Sequence, residues 1–220
     1  MQDDTSNKSD SPAVILSTRH IGGGISLAGS LETYWRELRG ARMIPRRTSV
    51  DPTRIDAALP WSFVVERVAP TVGRLRVAGQ KINAFVGMEA RGMPMSVLFS
   101  AQGRRVLDAY FPRVFDDPAI VELPLCSKRT LTAGRLDGLL LMLPLAADDG
   151  TVTRALCAMF VDGAIGRGPR SFDILDNANH RCEQVICRPT LVAVGQTHDA
   201  GEQKGPTLAR PALKLVVSNP

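Results

Sequence analysis

Two strongly apolar segments near the middle of the chain restrict its fold more than any other feature. They are "GRLDGLLLMLPL" at 134–145 and "TVTRALCAMFV" at 151–161, separated only by "AADDG". Side chains alternate between the two faces of a strand, so Leu139 and Leu140 point to opposite faces and both faces are apolar. The two segments and their short linker predict a β-hairpin. A sheet that is apolar on both faces needs a covering layer on each side.

Shorter segments supply the other elements of an α+β fold. Runs rich in β-branched residues predict strands at 62–68, 73–79 and 120–126. Between the last two of these, glycines and a proline exclude one long helix and predict several short ones. Ser100 is expected to cap a longer helix that continues to Phe111. Helices in this position can cover one face of the sheet.

The other face has a candidate cover in a predicted helix at 27–39, which Gly40 ends. Its apolar side chains recur at helical spacing and form one stripe: Leu27, Leu31, Tyr34, Trp35 and Leu38. Glu32 and Arg36 stand four apart on this helix and can form an ion pair. A second, short helix is predicted from Asp51, as N-cap, to Leu59.

Composition divides the chain into four segments. Residues 1–25 are polar and glycine-rich, and we expect them to be flexible. Residues 26–60 form a helical segment with an arginine-rich hinge, and residues 61–175 form the sheet domain. Residues 176–220 form a C-terminal extension, which is expected to be flexible from about 196. An apolar content of 44% is enough for a core in the sheet domain.

The sequence predicts a soluble, cytoplasmic protein. No apolar run approaches the roughly 20 residues that cross a bilayer. The first residues, "MQDDTSNKSD", lack the basic region of a signal peptide. We therefore expect no membrane partner.

Residues that could carry chemistry are scattered. The chain has three histidines, and the grouping of His180, Cys182 and Cys187 fits no zinc spacing, so we expect no metal site. Cys157 lies in an apolar run, where a free thiol is expected to be buried. The candidate carboxylates for catalysis stand on strands beside arginines and are expected to be ion-paired: Glu66, Glu122 and Asp137. We expect no catalytic residues and no enzyme activity.

An arginine cluster between 39 and 54 holds +4 of the formal net charge of +5. Arg42 and Arg46 have the spacing of a cyclic-dinucleotide clamp, but the second half of that motif is missing. A nucleic-acid site would need a longer basic face. We favour pairing of these arginines with nearby carboxylates, Glu32, Glu37, Asp51 and Asp56, and an exposed docking or anion-binding surface formed by Arg39, Arg42, Arg46 and Arg47.

Several local motifs resemble the PAS domain, and in particular a bacterial family of stand-alone PAS-like proteins of unknown function. They are "YWRELRG", "PRRTSVDP", "FVVERV", "RLRVAGQ", "GMEARGMP", "GRLDGLLLMLPL", "VTRAL" and "GRGPRSFDIL", and they extend over residues 31–175. The resemblance implies a five-stranded antiparallel sheet in the order 2-1-5-4-3, with helices on one face. It implies no catalytic residues and no cofactor. Haem and the flavin of light-sensing PAS domains are disfavoured, because 31–175 lacks histidine and 80–111 lacks cysteine.

The resemblance also implies a function. We expect a non-enzymatic sensory or adaptor module that signals through a separate protein partner. The alternative is an enzyme or small-molecule carrier on the same frame. A cyclic-dinucleotide or nucleic-acid binder that uses residues 39–54 is disfavoured.

Two sites follow as predictions. A small apolar ligand would lie between the sheet and the helices of 80–111, against Phe85, Met88, Met93, Leu98 and Phe99. A homodimer would have Leu31, Tyr34, Trp35 and Leu38 at or near its interface. The helix stripe could instead fold back on its own sheet, which would cover the same apolar face within one subunit.

Overall fold

A computed structural model of the chain describes residues 22–129, 134–166, 168–175 and 180–186. All of its helices and strands lie in a compact unit that ends at Val185. The predictions for residues 1–21 and 187–220, which include the flexible tails and Cys187, fall outside the described residues.

The described part of the chain contains one antiparallel sheet of seven strands. They are β1 (Ser62–Ala69), β2 (Val72–Ala78), β3 (Ala119–Ser127), β4 (Leu136–Ala146), β5 (Val152–Asp162), β6 (Asp173–Ile174) and β7 (Arg181–Gln184). Their order is β2-β1-β5-β4-β3-β6, and β7 also pairs with β3. The central hairpin is in register, with Leu141 opposite Ala158.

The expected number of five strands is therefore too low. The two additional strands are only two and four residues long, and both pair with β3. Strands this short carry no readable alternation of apolar and polar residues, so pattern analysis does not detect them. β7 comes from the segment that we assigned to the C-terminal extension.

Three α-helices lie in the described residues: α1 (Gly22–Arg39), α2 (Gln80–Val86) and α3 (Ala101–Tyr110). Ser100 caps α3 as predicted, since its hydroxyl accepts the Gly103 N–H at 3.1 Å. The helix expected at 51–59 is wrong. Two short 3-10 turns, Pro52–Ile55 and Leu59–Trp61, take its place, and a third, Arg47–Ser49, precedes them. Asp51 does act as a cap, and accepts the Thr53 N–H at 2.9 Å.

The prediction that the central hairpin is covered on both faces is confirmed. Leu140 and Met142 belong to a core shared with α2 and α3. Leu139, Leu141 and Leu143 belong to a second core shared with α1. The alternation along β4 thus divides the apolar residues between two layers on opposite sides of the sheet.

The apolar stripe of α1 covers its own sheet. Leu31, Tyr34 and Trp35 are buried, and the Trp35 side chain is 0% exposed. The Trp35 indole Nε1–H donates to the carbonyl oxygen of Pro144 in β4 at 2.8 Å. Leu38 is partly buried against the same core. The four residues predicted at a dimer interface are thus engaged within one subunit, and a homodimer through them would require α1 to leave the sheet.

Candidate ligand-binding groove

The residues expected to line a ligand pocket are mostly ordinary core residues. Phe85, Leu98 and Phe99 are fully buried, and Met93 is partly buried beside them. Met88 is 60% exposed and cannot line an interior wall. The reason is that α2 ends at Val86 and is capped by Gly87, which has the left-handed conformation with φ of 82°, so Met88 lies in the loop beyond the helix.

A groove of about 400 Å³ lies elsewhere, between the 3-10 turns of 47–61 and the strands β1 and β2. None of the five predicted wall residues lines it. Its walls are mainly apolar, with Val50, Ile55 and Leu59 on the side of the turns and Val64, Val77 and Leu156 on the side of the sheet. Ile55, Val64 and Leu156 also belong to the core under α1. The groove therefore borders the core under α1, and Gln80, the first residue of α2, also lines it.

Close backbone contacts hold the two walls of the groove together. The Gly79 N–H donates to the Ser62 carbonyl oxygen at 2.8 Å. A Cβ at Gly79 would lie 2.4 Å from the carbonyl oxygens of both Leu59 and Pro60, so only glycine fits this approach. The Ser62 hydroxyl donates to the Ala58 carbonyl oxygen at 2.9 Å. The shape of the groove is thus built into the fold.

The polar side chains in the groove are few, and its charge is positive. Arg47, Ser62 and Gln80 line it, and no carboxylate is among its lining residues in the described part of the chain. The Arg47 guanidinium forms no ion pair with a described carboxylate. Next to Gln80, the Lys81 ammonium lies 5.4 Å from the ring centroid of Trp61. The groove should therefore favour a ligand that carries an anionic group.

The remaining arginines of the 39–54 cluster are partly engaged. Arg54 pairs with Glu37 at 2.8 Å, as expected, and its guanidinium lies 5.0 Å from the ring centroid of Tyr34. The Arg39 Nε–H donates to the Arg42 carbonyl oxygen at 2.8 Å. Asp51 accepts hydrogen bonds from Thr53.

Two arginines of this cluster, Arg42 and Arg46, are exposed. The docking or anion-binding surface expected there stays a prediction.

A network of ion pairs fastens α1 to the edge of the sheet. Glu32 pairs with Arg36, as predicted, and also with Arg181 of β7. Arg181 further pairs with Glu122 of β3 at 3.0 Å. Burial opposes ionisation of Glu32, but hydrogen bonds from Arg181 and Arg36 outweigh it and hold the pKa of this carboxyl below its ordinary value. The sequence does not indicate that Arg181 forms these ion pairs, because Glu32 and Glu122 are distant from it in the chain.

The candidate catalytic carboxylates are ion-paired, as predicted. Glu66 pairs with Arg76 and Arg154, Glu122 with Arg181, and Asp137 with Arg135. Hydrogen bonds from Arg76 and Arg154 keep the pKa of Glu66 below its ordinary value, although burial alone would raise it.

In the described part of the chain, the cysteines and His180 form no reactive cluster. Cys157 is buried, as predicted, and burial raises the pKa of its thiol. His180 bonds to the Tyr110 hydroxyl at 2.9 Å and to the Leu175 carbonyl oxygen at 2.6 Å. Within the described ranges, no group of three or more metal-binding side chains occurs.

Comparison with known families identifies the fold. The family model described as PAS domain matches residues 26–160, which is well over half of the 220 residues. The chain belongs to the PAS domain family. This PAS domain includes α1, because the match begins within that helix. Family membership gives the chain the coarse function of a sensory or signalling module.

The search of curated proteins finds no match to this PAS domain. None of the described helices is both long enough and apolar enough to span a membrane.

Proposed function

We propose that the protein is a non-enzymatic sensory or adaptor PAS module that signals through a separate protein partner. The observation that carries the proposal is the PAS match over residues 26–160. Two further features support it. The candidate catalytic carboxylates are ion-paired with arginines: Glu66, Glu122 and Asp137. Arg42 and Arg46 present an exposed basic surface. Such a surface can attract an acidic partner and orient it.

The test begins with identification of a partner by crosslinking to the tagged protein, followed by binding measurements on the two purified proteins. The double variant Arg42→Glu and Arg46→Glu should weaken binding about tenfold, which corresponds to about 1.4 kcal/mol. The double variant Arg91→Glu and Arg105→Glu is the matched control, since it changes the net charge equally at two exposed arginines outside the 39–54 cluster. Equal weakening by the control, or no direct binding by the parent, would refute docking on this surface.

A small-molecule carrier is the second candidate, and the groove between β1 and the 3-10 turns favours it. Native mass spectrometry of the purified protein distinguishes the two functions. A co-purified small molecule at one copy per chain, in a protein that binds no partner, supports the carrier. A chain without such a molecule that still binds its partner supports the adaptor.

A further inference from the structure

We propose that the groove bounded by Val50, Ile55, Leu59, Val64, Val77 and Leu156 binds a small amphipathic carboxylate, with an apolar body and one anionic group. The inference deepens the proposed sensory function and depends on it only for the biological role of the ligand. Binding itself can be measured on the purified protein.

The size and lining of the groove fit a small molecule. Ligand sites typically measure about 300–1,000 Å³ and combine apolar walls with a few placed polar groups. This groove has about 400 Å³, mainly apolar walls, and three polar side chains. The Ser62 hydroxyl is already engaged with the Ala58 carbonyl oxygen, which leaves Arg47 and Gln80 to contact a ligand.

The charge of the groove specifies the polar end of the ligand. Arg47 is the charged residue among those described that line it. A guanidinium can hold a carboxylate through two parallel hydrogen bonds, and a partly desolvated site strengthens them. A phosphodiester chain would require several cations along its length. One arginine on a mainly apolar groove therefore fits a single carboxylate better than a polyanion.

The main competing occupant is an extended peptide added to the edge of the sheet. Strand addition requires free N–H and C=O groups on β2. At the middle of β2, the Leu75 N–H already donates to the Met93 carbonyl oxygen at 2.9 Å, and its own carbonyl oxygen accepts the Gly92 N–H at 2.7 Å. Residues 92 and 93 thus occupy the position that an added strand would take.

The groove is also continuous with the apolar core beneath α1. Ile55, Val64 and Leu156 belong to the same apolar cluster as Trp35 and Leu31. A bound alkyl chain would therefore extend the core that holds the helix on the sheet. Binding to the native state alone raises the melting temperature.

Titration calorimetry with octanoate and with 1-octanol, which has the same chain length without the charge, tests the proposal. We expect octanoate to bind at one copy per chain and to bind about tenfold more tightly than 1-octanol. Arg47→Gln should weaken octanoate binding about tenfold and leave 1-octanol unchanged. Arg105→Gln, which replaces an exposed arginine of α3 outside the groove lining, should change neither.

A second pair of variants tests the apolar wall. Val77→Trp fills the groove and should abolish binding of both probes, whereas Val68→Trp should not. Both valines are 48% exposed, but only Val77 lines the groove. Melting curves establish that each variant is folded before binding is measured.

Three results would overturn the proposal. The first is no octanoate binding by the parent, and the second is equal binding by the parent and Arg47→Gln. The third is a dimer by light scattering that Val77→Trp dissociates, since the groove would then be an interface between two copies. Partner binding that depends on Arg42 and Arg46 is measured separately, so a failure of the ligand proposal leaves the adaptor function testable.

Discussion

Trp35 shows how one residue can fasten a helix to a sheet. Its ring is fully buried between α1 and β4, and its N–H satisfies the Pro144 carbonyl oxygen. Pro144 lies near the end of the buried strand β4, where an unpaired carbonyl group is costly. Trp35→Phe keeps an aromatic ring but removes the donor. We expect it to lower the free energy of unfolding by about 1–3 kcal/mol, measured by urea denaturation.

Trp61→Phe is the control for this substitution. Trp61 is partly buried, and its ring centroid lies 6.3 Å from that of Phe85, but its indole N–H makes no hydrogen bond to a described residue. Trp61→Phe should lower the free energy of unfolding by less than Trp35→Phe does. An equal or larger loss for Trp61→Phe would show that ring volume, and not the hydrogen bond to Pro144, determines the effect.

Single residues also mark the limit of prediction from the sequence. The helical spacing predicted that Trp35 is buried, but a stripe of this kind packs equally well on its own sheet or on a second copy. Arg47 was assigned to an exposed surface because nothing local shows that β1 and β2 approach it. Met88 was placed in a wall because periodicity alone does not show where α2 ends, although Gly87 is a usual helix terminator.

At the scale of elements, the ion pairs between α1 and β7 predict how stability depends on pH. The folded state lowers the pKa of Glu32, so its ionised form stabilises the fold above the ordinary glutamate pKa of about 4.3. This contribution is lost as the pH falls through the lowered value. Glu32→Gln should therefore lower the melting temperature by a few degrees at pH 7, and the difference from the parent should shrink towards pH 3.

Glu37→Gln is the matched control on the same helix. Glu37 pairs with Arg54, but both side chains are more than half exposed, and exposed pairs contribute little. We expect almost no change in melting temperature at either pH. Two results would show that the ion pairs with Arg181 do not hold α1 on the sheet. One is an equal change in melting temperature for both variants. The other is a difference in melting temperature between Glu32→Gln and the parent that grows as the pH falls.

Elements differ in how well the sequence reveals them. The long strands β4 and β5 were predicted because each carries many apolar residues in a row. The short strands β6 and β7 were not, because their pairing with β3 depends on the fold and not on their own composition. Residues 51–59 were predicted as one helix, although they form 3-10 turns, because Asp51 and Pro52 are a helix-start signal in either case.

At the scale of the whole molecule, the resemblance to PAS domains predicted the fold class. The groove could not be predicted from the sequence. Its walls come from the hinge segment, β1, β2 and Leu156 of β5, which are separated in the chain by up to about a hundred residues. Periodicity identified both apolar faces of the sheet. It could not indicate that α1 covers part of one face and leaves a groove at the margin.

The coverage of both faces within one chain leads to the last prediction, which concerns folding and assembly. A protein that needs a second copy to bury its sheet melts at a temperature that rises with protein concentration. Here α1 covers the second face in the same subunit, with Leu31 and Trp35 buried. The parent should therefore stay folded when it is diluted to a concentration at which light scattering shows only monomer, and its melting temperature there should no longer depend on protein concentration.

The substitution Trp35→Glu also tests whether α1 covers the sheet within one subunit. A carboxylate at a fully buried position is strongly destabilising, so the variant should lose its folded state in the melting curve. Because this position lies inside one subunit, the variant should not yield a folded protein of half the parent mass by light scattering. Val68→Glu places the same charge on the exposed part of β1 and should remain folded at the parent mass. A folded Trp35→Glu monomer from a dimeric parent would instead place the α1 stripe between subunits.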